Sequence, residues 1–141
     1  MDEYRGKVGL LRTAPGVGLL TGMEVLVELQ EMGRFRSSEE IASYMGLTPS
    51  EYSTGEHIRQ GRITRCGNWR VRKALVESSW ILIGKDPWRK RAYLRLKSRK
   101  GAKRAIIAIA RKLIIILRSM LLRNLPYGRV RPVVQGAEDA R

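Results

Sequence analysis

Residues 102–123, AKRAIIAIARKLIIILRSMLLR, predict the helix that anchors the core of the fold. Apolar residues recur there at the three- and four-residue spacing of one face of an α-helix. The expected buried stripe consists of Ile106, Ala110, Leu113, Leu117, Met120 and Leu121. Three arginines recur every seven residues on the opposite face: Arg104, Arg111 and Arg118. They predict either a cationic ridge or a merely solvated helix face.

Two helices are predicted ahead of this one. Asn68 is a good N-cap for a helix over 68–83, which Gly84 would end. Asp86, followed directly by a proline, is typical of a helix start and predicts a strongly basic helix over 86–98. The core-facing residues expected in the first of these helices are Val71, Leu75, Ser78 and Leu82.

A second face of the 68–83 helix carries two tryptophans. The residues that share it are Trp69, Lys73, Val76 and Trp80. Tryptophans at helical spacing usually belong to a core or to an interface, and this is the interpretation we favour. Stacking of the rings on nucleobases is the alternative.

The N-terminal region predicts a helix-hairpin-helix element over about 7–32. Residues 5–12 and the stretch from Leu19 have helical spacing, and the sequence PGVG separates them. Gly16 and Gly18 expose backbone N–H groups at the start of the second helix, where an anion is favoured. The element therefore resembles those that bind the DNA backbone without reading its sequence. A tight turn with a purely structural role is the alternative.

The middle of the chain predicts a short helix and then a long loop. Ser37 and Glu40 have the spacing of a capping box, and Gly46 would end the helix that they begin. Helical periodicity fails over 47–67, which predicts a long irregular loop. The candidate phosphate contacts in this loop are Ser53, Thr54, Gly55, Arg59, Arg62 and Arg65. The alternatives are a solvated segment and hydroxyls that bond their own backbone in turns.

Length and charge limit the possible functions. The 141 residues fit one compact all-α domain over 1–127, followed by a flexible tail over 128–141. The chain has 28 Lys and Arg against 13 Asp and Glu, a formal net charge of +15. This charge exceeds what solubility requires and predicts a polyanionic partner. Nucleic acid is favoured over a membrane surface and over a merely solvated cationic surface.

Several other classes of protein are disfavoured. Cys66 is the only cysteine, so an intramolecular disulfide is impossible. The single histidine, His57, and the scattered acids predict no metal site and no cofactor in this chain. The N-terminus has no signal-peptide pattern, and the apolar run at 113–117 is far shorter than the ~20 residues of a membrane span. We therefore expect a cytoplasmic protein that does not enter a membrane.

Four stretches occur in a specific order: TAPGVGLLTG at 13–22, RFRSSEEIASYMGLTPSEYSTG at 34–55, GRITRCGNWRVRKALVESSW at 61–80 and AIIAIARKL at 105–113. Together they resemble the C-terminal transposase domain of the DEDD-type insertion-sequence transposases, whose full-length members are guided by a bridge RNA. The resemblance covers residues 7–127, nearly the whole chain.

The resemblance has consequences for partners and metals. In that family an N-terminal RuvC-like domain provides four acidic residues that bind divalent metal, and the C-terminal domain provides a serine that attacks the scissile DNA phosphate. DNA, a guide RNA, a RuvC-like domain or subunit and a homo-oligomer that combines two half-sites are thus the implied partners. Mg²⁺ is implied only with the RuvC-like domain, which we expect to be missing because Met1 stands just before the hairpin.

The resemblance also points to a nucleophile. The family's serine directly precedes the glycine of this motif, and that position here is Thr54, followed by Gly55. Ser53 lies one residue earlier and is the fallback hydroxyl. The extra methyl group of threonine crowds the approach to phosphorus and restricts rotation of the side chain.

The sequence therefore predicts a DNA-binding transposase domain. We expect it to contribute to cleavage and strand exchange in DNA transposition when it is combined with a RuvC-like domain. The alternatives are a non-catalytic helix-hairpin-helix module that binds DNA or RNA and a decayed transposase. The nucleic-acid contacts predicted outside the long loop are Gly16, Gly18, Arg70 and Lys73.

Overall fold

The computed structural model describes residues 2–31, 40, 47 and 66–130. Five α-helices of ten residues or more lie in these ranges, without a strand: α1 (Asp2–Leu11), α2 (Leu19–Glu31), α3 (Cys66–Lys85), α4 (Pro87–Lys100) and α5 (Ala102–Arg123). The predicted all-α fold class is confirmed. Two helices joined by the PGVG loop are also present, which is consistent with a helix-hairpin-helix element.

Helix α5 is the centre of the core, as its sequence predicts. Its buried surface is wider than the single stripe of residues that was expected. The buried residues are Ala105, Ile106, Ile109, Ala110, Leu113, Ile114, Ile116, Leu117 and Met120. The reason is that α1, α3 and α4 all pack against this helix. Arg104 is exposed, whereas Arg111 and Arg118 are half-buried, so the predicted row of arginines is fully exposed only at its first residue.

The ends of α3 and α4 differ from the predicted ones. Helix α3 begins at Cys66, before the expected N-cap, and it runs through Gly84 to Lys85. Glycine ends a helix most readily where its backbone turns to positive φ. Among the described residues only Gly16 and Gly101 are glycines of that kind, and Gly101, with φ of 91°, ends α4 two residues later than expected.

The predicted start of α4 is confirmed. Asp86 has an extended backbone, and its Oδ1 accepts a hydrogen bond of 3.0 Å from the backbone N–H of Trp88. Pro87 occupies the first helical position, where its missing N–H is not needed. The Asp86 side chain is also buried, which the sequence does not reveal.

A helical turn at 127–130 packs onto the start of α4. The hydroxyl of Tyr127 donates a hydrogen bond to Oδ2 of Asp86, and its backbone N–H donates to Oγ1 of Thr13 at 2.9 Å. Burial, reinforced by the bond to Asp86, raises the pKa of Tyr127 well above its ordinary value. Tyr127 and Val130 are buried, so the tail does not begin at 128 as predicted. Residues 131–141 lie outside the described ranges.

The loop between α1 and α2 touches α3 through a glycine. Gly16 has φ of 89°, and a Cβ at this position would lie 2.5 Å from the carbonyl oxygen of Ser78. Only glycine fits both the backbone conformation and this approach. The hairpin is thus attached to α3 by Gly16 and to the C-terminal turn by Thr13.

Candidate nucleic-acid interface

Positive charge is concentrated in the three C-terminal helices and the turn that follows them. Residues 66–130 contain 18 of the 28 Lys and Arg but only two of the 13 acids, Glu77 and Asp86. Asp86 is buried, so Glu77 is the one acid of this segment that is exposed. The segment therefore carries the whole positive net charge of the chain, and the remaining residues together are close to neutral.

Three of the four cations of α3 lie in its N-terminal half, and the fourth, Lys85, lies in its last turn. Arg70 and Lys73, both predicted as nucleic-acid contacts, are exposed on this helix. The side chains that face the core are buried, as predicted: Val71, Leu75, Ser78 and Leu82. Burial of one face fixes the rotation of the helix and turns the two cations to solvent. Their role as phosphate contacts remains a prediction.

Helix α4 provides the densest group of exposed cations. Those at the surface are Lys90, Arg91, Arg95, Lys97, Arg99 and Lys100, and the helix has no acid. Arg89 is different, because its side chain is only 1% exposed and its charge acts on the buried hydroxyl of Tyr127. Arg89 and Tyr93 form the buried side of α4. The other side of α4 is exposed and cationic, and α4 itself packs against α3.

All three tryptophans of the chain lie on this part of the molecule, and none is buried. The exposed fractions are 46% for Trp69, 47% for Trp80 and 42% for Trp88. Trp69 and Trp80 are therefore not core residues, since nearly half of each side chain is exposed, and the favoured interpretation remains only in its other form, an interface. Nζ of Lys73 lies 5.6 Å from the ring centre of Trp69, and Cζ of Arg91 lies 5.6 Å from that of Trp88.

Trp80 also has a fixed neighbour. Its ring meets that of Tyr93 edge to face, with 5.7 Å between the ring centres. Tyr93 belongs to α4 and is buried. The contact therefore joins α3 to α4 on either side of the connection at Asp86. Such aromatic pairs stabilise by about 0.5–1.5 kcal/mol beyond their buried area. The pair therefore restricts the orientation of the exposed indole.

The two hairpin glycines have different environments. Gly16 is held against α3, whereas Gly18 is exposed and has open space where a Cβ would lie. Helix α2, which follows, has no cation, and the first two of its residues, Leu19 and Leu20, are exposed apolar side chains. Arg12 is the exposed cation of this loop. The hairpin thus provides little charge of its own, and its predicted role in DNA binding depends on the adjacent helices.

The candidate nucleophile lies outside the described residues, as do the other predicted contacts of the long loop. These are Ser53, Thr54, Gly55, Arg59, Arg62 and Arg65. The structure does describe both flanks of that segment. Leu47 is fully buried in the core, and Cys66 is the first residue of α3. The segment thus follows a buried residue and leads directly into α3, where Arg70 and Lys73 are exposed.

The described residues do not include a metal centre. No group of three His, Cys, Asp or Glu side chains is close enough there to hold an ion. Within the same ranges, none of the helices is both long and apolar enough to cross a membrane.

Sequence reasoning missed part of this interface. The basic composition of α4 is evident from its sequence, but the inward turn of Arg89 and the position of Trp88 beneath Arg91 are not. The acid that precedes Pro87, Asp86, is the local indication in the sequence that could have found the inward turn of Arg89. A capping acid so close to Arg89 favours an arginine that faces inward.

The transposase family IS116/IS110/IS902 matches residues 8–94. A putative transposase, y4qE, of Sinorhizobium fredii is 43% identical over 70 residues, which are 50% of this chain and 18% of that protein. The pilin gene-inverting protein of Moraxella bovis is 32% identical over 130 residues, 90% of this chain and 40% of that protein.

A transposase for the insertion sequence element IS1111A of Coxiella burnetii is 28% identical over 125 residues, 83% of this chain and 33% of that protein. No solved structure matches the chain. The chain spans less than half the length of these three relatives. Since the family match covers more than half of the sequence and continues through α3 into α4, the chain belongs to the IS116/IS110/IS902 family of transposases.

Proposed function

We propose that this chain is the DNA-binding domain of an insertion-sequence transposase and contributes to DNA cleavage and strand exchange together with a RuvC-like, metal-binding domain. The observation that carries the proposal is the exposed cationic surface of α3 and α4 in a chain of this transposase family. DNA is the principal partner. The family resemblance adds a guide RNA and a second copy of the chain.

The cationic surface fits a phosphate backbone better than it fits base edges. Its lysines and arginines are exposed along two helices that pack against each other, and not on one isolated helix. Contacts of this kind neutralise phosphates, release counterions and carry little sequence information. The domain would thus hold DNA, and the choice of target would come from other parts of the complex.

Cleavage needs groups beyond the described helices. In the proposed step the hydroxyl group of Thr54, or of Ser53, loses its proton as its oxygen bonds to the scissile phosphorus, and the bond from phosphorus to the departing sugar oxygen breaks. The departing oxygen takes up a proton, and the protein is left covalently joined to DNA. Arg59, Arg62 and Arg65 would neutralise the phosphate during this step. The described residues do not fit the family's divalent metal, so no part of the step is assigned to it.

DNA binding is expected to weaken steeply with salt. Titration of a labelled DNA duplex, followed by fluorescence anisotropy at several salt concentrations, should give log K against log salt a slope of about −0.9 per neutralised phosphate. Arg70→Gln, Lys73→Gln, Lys90→Gln and Arg95→Gln should each reduce that slope by about 0.9 if the residue contacts one phosphate. Binding that is insensitive to salt would contradict the proposal.

Lys7 provides the matched control. It lies on α1, and its Nζ is 3.2 Å from Oε1 of Glu3, so its charge is already compensated locally. Lys7→Gln removes one unit of charge from the chain, as the four test variants do, but it should leave the slope unchanged. An equal effect of Lys7→Gln would mean that the net charge, and not the surface of α3 and α4, determines binding.

A covalent adduct tests the catalytic part of the proposal. When the chain is combined with a RuvC-like partner, divalent metal and cognate DNA, we expect a protein–DNA adduct that resists denaturation and disappears in Thr54→Ala. Ser53→Ala is the matched control and should retain the adduct. If the adduct disappears in Ser53→Ala but not in Thr54→Ala, Ser53 is the nucleophile. DNA binding without any adduct would instead support the non-catalytic binding module.

A further inference from the structure

We propose that Trp69, Trp80 and Trp88 form a stacking surface for unpaired nucleobases. The inference rests on the proposed binding of nucleic acid and goes further, because it specifies a strand whose bases are not paired. A duplex buries the faces of its bases in its own stack, so an indole ring can stack only on a base that is unpaired or at an end.

The two tryptophans of α3 lie on one side of the helix. They are eleven residues apart, which at 3.6 residues per turn places them within about 20° of each other around the axis and about 16.5 Å apart along it. Lys73 lies between them, about 40° from Trp69. Each ring is nearly half exposed. The arrangement is thus aromatic, cation, aromatic along one open side of α3.

The three tryptophans are exposed in a protein that has a hydrophobic core. Indole is among the largest apolar groups in proteins, and burying it would favour folding. Trp80 is supported from within by Tyr93, so its ring has a restricted orientation before any ligand binds. A pre-oriented exposed ring loses little conformational freedom when a flat partner stacks on it.

The cations beside Trp69 and Trp88 fit a nucleotide, which has both a flat base and a charged phosphate. At an exposed site, a cation over an indole ring contributes roughly twofold to fivefold in an equilibrium constant. A stacked base contributes roughly fivefold to 150-fold in affinity. A base can therefore displace the ammonium of Lys73 from Trp69, and the released cation can pair with the adjoining phosphate.

The charge around the rings favours nucleic acid over a protein partner. The core of a protein interface is depleted in charged residues. Here Lys73 and Arg91 lie over the rings themselves, and Arg70 and Lys90 are exposed close to them in sequence. Glu77 is the one exposed acid on these two helices, and Trp80 lies three residues beyond it. The surroundings as a whole attract a polyanion.

Intrinsic fluorescence can test the inference directly, because the chain has three tryptophans and all of them are exposed. The chain is titrated with oligo(dU), with oligo(U) and with a DNA duplex of the same length at one salt concentration. Quenching by either single strand, with much less by the duplex, supports the inference. The strand that binds more tightly identifies the preferred sugar.

Substitutions separate stacking from charge. We expect Trp69→Ala to weaken binding of the single strand by roughly fivefold to 150-fold and to leave duplex binding within about twofold. Trp69→Tyr retains a stacking ring and should restore most of the affinity. Trp80→Tyr is used in place of the alanine variant, because loss of the Trp80 ring would also unpack Tyr93. Leu122→Ala, at an exposed apolar residue of α5, is the control and should have no effect.

Three results would overturn the inference. Equal weakening of single-strand and duplex binding in Trp69→Ala would mean that the ring has no stacking role. Unchanged binding with altered self-association, measured by sedimentation, would identify a protein interface. If the chain binds neither form of nucleic acid at low salt, the proposed function is contradicted as well. If it binds the duplex but no strand quenches its fluorescence, only the stacking surface is contradicted.

Discussion

Replacement of Gly16 by alanine is expected to lower the free energy of unfolding by roughly 2–5 kcal/mol. Two effects add. A side chain in the left-handed region costs about 1–2 kcal/mol, and Gly16 has φ of 89°. The new methyl group would also lie 2.5 Å from the carbonyl oxygen of Ser78, and overpacking of this kind costs about 1–3 kcal/mol. The obstacle is backbone on α3, which cannot rotate away as a flexible side chain would.

Denaturant unfolding followed by circular dichroism measures the change, with the midpoint and slope fitted separately. Gly84→Ala is the matched control, because a Cβ at Gly84 meets no atom within 4 Å and the residue lies inside α3. That variant should gain about 0.5–1 kcal/mol, the usual difference between alanine and glycine in a helix. If Gly16→Ala is as stable as the parent, the loop does not depend on its contact with Ser78.

The Gly16 experiment also bears on the hairpin as a DNA site. The sequence predicts that Gly16 and Gly18 hold phosphate, but the structure gives Gly16 a packing role and leaves Gly18 open. Gly18→Ala should preserve the fold and test the site itself. Loss of DNA affinity in Gly16→Ala is therefore interpreted only under conditions where that variant is folded.

Local patterns in the sequence were enough to predict most of the helical framework. The burial of Val71, Leu75 and Leu82 follows from 3.6-residue spacing, and the start of α4 follows from the Asp-Pro pair. Both depend on contacts within one helix or one cap, which neighbouring residues determine. The ordered motifs also predicted a transposase, which the family match confirms, whereas the DEDD type and the guide RNA remain predictions.

Features that depend on packing between distant segments were not predicted. Gly84 has the composition of a helix stop, yet α3 continues through it, because the choice between stop and continuation depends on the backbone φ and on tertiary contacts. The exposure of Trp69 and Trp80 depends on which side of α3 meets the other helices. Tyr127 reaches Asp86 from 41 residues away in the sequence. No spacing rule within a single helix predicts such contacts.

Replacement of Asp86 by alanine is expected to lower the free energy of unfolding by about 3–5 kcal/mol, the usual result of removing one partner from a buried charged group. Its carboxylate has three roles. It caps α4 through the N–H of Trp88, it accepts the hydrogen bond of Tyr127, and it provides negative charge where Arg89 is only 1% exposed. Alanine removes all three roles at once and leaves the guanidinium buried.

Two smaller changes separate these roles. Tyr127→Phe removes one hydrogen bond to a charged acceptor and should lower the free energy of unfolding by about 1.5–3 kcal/mol. Asp86→Asn retains an oxygen that can cap α4 but removes the charge. It should therefore lower the free energy of unfolding by less than Asp86→Ala does. Thermal and denaturant unfolding measure all three variants under one set of conditions.

The order of these losses identifies which role of Asp86 is largest. If Asp86→Asn is as stable as the parent, the cap oxygen is sufficient and the negative charge near Arg89 contributes nothing. If Asp86→Ala lowers the free energy of unfolding no more than Tyr127→Phe does, the hydrogen bond of Tyr127 accounts for the whole effect. A loss in Asp86→Ala that clearly exceeds both of the others is the result expected if the carboxylate joins the start of α4 to the C-terminal turn. Because α4 carries the densest group of exposed cations, that variant should also weaken DNA binding under conditions where Lys7→Gln does not.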